Sequence, residues 1–121
     1  MNAVRFSSSQ IPDYECGVFF SARAGRFTQN YPDSQFPIVA LDVIDNKSIL
    51  NCIEEVISNE GKIDVLINNA GAGITGPIEE IPEAEIKRNF DTNFFGPINV
   101  IKAVLPKMRT QNSGLIINVT S

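Results

Sequence analysis

The run Lys62-Ile-Asp-Val-Leu-Ile-Asn-Asn-Ala-Gly71 constrains the fold of this chain more than any other stretch, because an apolar segment breaks off abruptly into two amides, an alanine and a glycine. Ile63, Val65, Leu66 and Ile67 make the short apolar run that a parallel strand buried on both faces requires. Helical patterns flank it. Ahead of it Ile49, Ile53, Val56 and Ile57 form one stripe between Asp45 and Glu60, with Asp45 expected as N-cap and Gly61 just past the end. After it Pro82 to about Met108 reads as a long helix, with Phe90, Asn93, Phe94, Pro97, Ile98, Ile101 and Leu105 expected on one face. Strands alternating with helices imply βαβ units, whose ligands bind at the carboxyl ends of the strands. Asn68-Asn-Ala-Gly71 therefore falls where a ligand is expected.

Three further strands are expected. Val18 to Arg23 is apolar and aromatic, Ile38 to Leu41 leads into Asp42-Val43, and Leu115 to Val119 ends in Thr120-Ser121. Residues 1–17 read as an irregular tail with at most a strand stub at Ala3 to Phe6, which leaves 18–121 as the folded domain. Thr28 to Pro37 reads as a loop, and Gly114 is expected to break the long helix. Gly71-Ala-Gly-Ile-Thr-Gly76 matches a dinucleotide fingerprint in pattern, but Pro77 follows and helical periodicity resumes only near Pro82, so a loop is expected instead. Pro97 has no N–H for the carbonyl of Asn93, which predicts a kink and a carbonyl that takes water or a ligand. The plainer alternative is a solvated kink without chemistry.

These residues carry a resemblance. Asn68-Asn-Ala-Gly71, Asn93-Phe-Phe-Gly96 and Gly114-Leu-Ile-Ile-Asn-Val-Thr-Ser121 are similar, in order and spacing, to motifs of the short-chain dehydrogenase/reductase family. The resemblance implies a partial Rossmann-like doubly wound parallel sheet between helices, a three-layer αβα arrangement. It implies an NAD(P)-dependent oxidoreductase that moves a hydride between cofactor and a small-molecule alcohol or carbonyl. Asn93 then matches the asparagine whose backbone carbonyl holds a water, and Ser121 the serine that hydrogen-bonds the substrate carbonyl. Asp42 and Val43 match the contacts to the adenine, although Asp42 reads equally as a strand-end carboxylate helping to cap the next helix. Asn69, Ala70 and Gly71 match cofactor-binding positions, and the resemblance places the loop from Gly71 to Gly76 beside the cofactor's ribose and nicotinamide. Arg23, where NAD enzymes carry an acidic residue, favours NADP, with NAD the alternative.

The sequence also departs from that pattern. It has no Thr-Gly-x-x-x-Gly-x-Gly turn for the pyrophosphate and no Tyr-x-x-x-Lys, since Tyr14 and Tyr31 are followed four residues on by Val18 and Gln35. An incomplete member with at most residual activity is one expectation; a non-catalytic nucleotide-binding or partner-binding module and the product of a truncated reading frame are the others. A missing first strand would leave a gap between the strands at Val18 and Ile63, filled by Ala3 to Phe6, closed by direct pairing, or left open to self-association through exposed strand edges. A net charge of −4 without a basic cluster argues against nucleic acid. No apolar run approaches the ~18 residues of a membrane span, and a cytoplasmic location is the default expectation. Two cysteines without histidine argue against zinc and disulfide scaffolds.

Overall fold

The computed structural model describes residues 2–7, 16–21 and 39–119 of the chain. Strands β1 (Asn2–Ser7) and β2 (Cys16–Ser21) precede helix α1 (Asn46–Glu60) and strand β3 (Val65–Asn68). After a single 3₁₀ turn, Ile78–Glu80, comes a helical stretch in three parts: α2 (Glu83–Phe90), a π turn (Asp91–Phe95) and α3 (Gly96–Gln111). Strand β4 (Leu115–Asn118) closes the described chain. The sheet order is β2-β1-β3-β4, with β3 and β4 parallel and joined through the helical stretch in a βαβ unit.

The slot between β2 and β3 is filled by β1, so part of the run expected to be irregular belongs to the sheet, and β2 itself begins at Cys16. β1 runs antiparallel to both neighbours, pairing Ala3 with Phe20 and with Ile67. β2 therefore points the same way as β3. Val39 to Leu41, expected as a strand, form none of the described sheet, although Val39, Leu41 and Val43 alternate into the core. Ile38 and the loop from Thr28 to Pro37 lie outside the described residues.

Helix α1 follows its sequence signals closely. The Asp45 carboxylate accepts the Lys47 N–H at 2.9 Å, and Gly61 ends the helix at φ 79°. Ile49, Ile53 and Val56 meet Leu66 of β3 and Val100, Val104 and Met108 of α3 in one core, with Leu66 and Val104 fully buried. α3 thus presents Gly96, Val100, Val104 and Met108 inward, not the face expected from the sequence; Phe90 and Phe94 are more than half exposed. The stretch is apolar on more than one side, and the side carrying Gly96 packs closely on Val43 of the segment before α1. The opposite face of the sheet shows Leu115 and Ile117 to solvent. The last turn ends at Asn112, left-handed at φ 53°, before Gly114 is reached, since asparagine tolerates that conformation.

Cys52 packs within this core, where burial and then the Glu55 carboxylate push its thiol up to about 11 from an ordinary 9.0. The folded state thus favours the neutral thiol. That contribution to stability is complete below pH 9.0 and is lost as the pH rises through about 11. Alkylation under mildly alkaline conditions is expected to spare Cys52 in the folded chain and to reach it in urea, as read by peptide mass mapping. Equal modification in both states would contradict this packing.

Candidate functional site

The carboxyl end of β3 opens into a cavity of about 470 Å³, within the usual size range of small-molecule sites. One wall is the segment 41–44, a second is the loop 70–74, and the third is the helical stretch at Glu85, Arg88, Asn89 and Thr92. Each wall has a local cause. Asp42 accepts the Ile44 N–H at 3.1 Å on its carboxylate and donates its own N–H to Ser48 Oγ at 2.8 Å, so the segment turns sharply before α1. Asp45, and not Asp42, caps the helix. No helix opens after Gly76; Pro77 leads only into the 3₁₀ turn, so the glycine-rich run is a loop, as its spacing indicated.

The loop is fastened to the helical stretch by amides. Asn93 Oδ1 accepts the Ala72 N–H at 2.8 Å, and its Nδ2 donates to the Ala72 carbonyl at 2.8 Å and to Asn89 Oδ1 at 3.1 Å. Asn89 Nδ2 donates to the same carbonyl. Asn93 lies within the π turn, where the Gly96 N–H reaches the Asp91 carbonyl five residues back and Pro97 follows without a donor. The kink expected at Pro97 thus takes the form of a π turn. Inside the sheet, Asn68 is almost fully buried and donates its Nδ2 to Asn118 Oδ1 at 2.9 Å across the parallel pair, its own Oδ1 receiving no hydrogen bond among the described residues.

Of the residues expected at a site, Asp42, Val43, Ala70 and Gly71 line this one cavity. Asn93 grips its loop wall without lining it, and Asn69 is exposed and outside the lining. Arg23 and Ser121 lie outside the described residues. Sequence reasoning missed Asn89, whose only signal is its spacing of four from Asn93 on a helix. It also missed the cross-strand pairing of Asn68 with Asn118. Among the described residues no acidic, cysteine or histidine cluster could hold a metal, and no helix is long and apolar enough to cross a membrane.

A parallel βαβ unit with its cavity at the strand's carboxyl end defines a partial Rossmann-like α/β protein. The family model described as short chain dehydrogenase matches residues 21–121. The 3-ketodihydrosphingosine reductase of Bacteroides thetaiotaomicron is 46% identical over 84 residues, covering 69% of this chain and 31% of that protein. Among solved structures, ElxO with NADP bound matches at a TM-score of 0.74 and 25% identity, over 85% of this chain and 44% of that one. NAD+-bound xylitol dehydrogenase matches at a TM-score of 0.65 and 34% identity, over 71% of this chain and 34% of that one. The chain belongs to the short-chain dehydrogenase family of oxidoreductases. It spans about a third of the length of that reductase.

Proposed function

We propose that this chain carries part of the cofactor side of a nicotinamide-dependent oxidoreductase acting on an alcohol or carbonyl, with NADP preferred over NAD. The observation that carries the reading is the cavity at the end of β3, walled by Asp42 and Val43 on one side and by Ala70 and Gly71 on the other. Those walls fit the group: a part-exposed carboxylate and adjacent backbone suit an adenosine edge, and a loop with glycines at 71 and 73 admits a ribose closely. β2 points the same way as β3, so its end at Ser21 lies on the cavity's side of the sheet; the preference for NADP rests on the sequence, in which an arginine, Arg23, and no acidic residue comes two positions after Ser21, and an arginine suits a 2′-phosphate.

When bound, the nicotinamide supplies the hydride chemistry. This chain's residues orient and hold protons. In this reading the Asn93 carbonyl, opposite the proline that cannot bond it, holds a water, and the Ser121 hydroxyl donates to the substrate carbonyl.

The test is thermal unfolding of the chain with and without millimolar NADPH or NADH, because a ligand of the folded state must raise the midpoint. A rise with NADPH larger than with NADH, reduced in Arg23→Ala, is the expected result. No shift with either cofactor would sink the reading, and a larger shift with NADH would sink the preference for NADP.

A further inference from the structure

Asn89 belongs to none of the motifs quoted above, yet it ties Asn93 to the cavity wall. The Asn93 amide faces the Ala72 peptide with its oxygen on the N–H and its nitrogen on the carbonyl. Asn93 is itself exposed, so water competes for both bonds. Asn89, one turn earlier and half-buried, adds two constraints. Its Oδ1 accepts the second Asn93 Nδ2 hydrogen, so a flipped amide would set oxygen against oxygen, and its Nδ2 shares the Ala72 carbonyl. The three groups form a closed set joining the end of α2, the π turn and the loop. Asn89 and Ala72 also both line the cavity.

We propose that Asn89 is a positioning residue: its amide holds the Asn93 amide on the Ala72 peptide and thereby fixes the 70–74 wall of the cavity. Its part in cofactor binding rests on the nicotinamide reading, where this wall lies beside the ribose and nicotinamide. The residue acts through Asn93 and Ala72 and needs no contact with a reacting atom.

The experiment compares the full chain with Asn89→Leu, which keeps the volume and removes the amide, and with Asn89→Gln, which returns donor and acceptor on a longer stem. Amide hydrogen exchange without cofactor is followed residue by residue, and NADPH affinity is measured by calorimetry. Asn89→Leu is expected to speed exchange at Ala72 on the order of tenfold with α1 and β3 unchanged, and to weaken NADPH several-fold; Asn89→Gln recovers most of both. Unchanged exchange at Ala72, an equal rise throughout α1 and β3, or identical behaviour of the Leu and Gln variants would overturn the proposal. Faster exchange with wild-type NADPH affinity would overturn the part in binding. Failure of the unsubstituted chain to bind NADPH would sink the nicotinamide reading instead, while exchange at Ala72, measured without cofactor, still decides the clamp.

Discussion

Gly96→Ala is expected to destabilise the chain, although alanine is the better helix former by about 1 kcal/mol. A Cβ at position 96 would stand 2.7 Å from Val43 Cγ2 and 3.0 Å from Val43 Cβ, closer than packed carbons come. Val43 is buried, β-branched and short, so it has no flexible end to swing aside. Overpacking of this kind costs about 1–3 kcal/mol and should outweigh the helical gain. Urea unfolding of Gly96→Ala, of Val43→Ala and of the pair decides it: the double variant should lose less than the sum of the singles, because removing Cγ2 relieves the contact. A stabilised Gly96→Ala would mean that the helix stands farther from the segment 41–44. Val43 also lines the cavity, so on the nicotinamide reading the double variant should alter cofactor affinity as well.

Replacing Gln111 by alanine is the second substitution expected to cost heavily. Its Oε1 accepts the Ile63 N–H at 3.0 Å and its Nε2 donates to the Ile63 carbonyl at 2.9 Å and to the Ser113 carbonyl at 3.3 Å. Ile63 is fully buried just ahead of β3. Each buried peptide group left unpaired costs on the order of 1–3 kcal/mol. A drop in the urea midpoint at unchanged slope is the expected result; an unchanged midpoint would show that the Ile63 peptide finds other partners. Gln111 does just ahead of β3 what Asn93 does past its end, each side-chain amide bonding both the N–H and the carbonyl of one residue.

The elements with redundant signals were legible. For α1 the cap at Asp45, the stripe and Gly61 all agree, and for β3 the apolar run and its abrupt end do. Where a signal was single or ambiguous, the fold went another way. Alternation at Val39, Leu41 and Val43 encodes burial, which these residues achieve without joining the described sheet. The side chains of 90–105 offer apolar groups on more than one side, and packing against Val43 chose the side with the smallest residue, Gly96. The candidate site was half legible. Asp42, Val43, Ala70 and Gly71 line the cavity at positions the order of the elements made legible, whereas Asn89 meets the loop across a contact of which its spacing of four from Asn93 is the one local sign.

The antiparallel entry of β1 has a directional consequence. As β1 proceeds from Ala3 to Arg5 its partner in β3 recedes from Ile67 to Val65, so the central slot presents the beginning of a strand at the cavity edge and its end at the far edge. Ser7, the last residue of β1, therefore stands at the rim opposite the cavity, whereas a parallel first strand would end at the cavity's rim, where a phosphate-binding turn follows such a strand. Asn2 and Ser21 thus share the cavity's rim of the sheet, and Ser7 and Cys16 share the rim opposite.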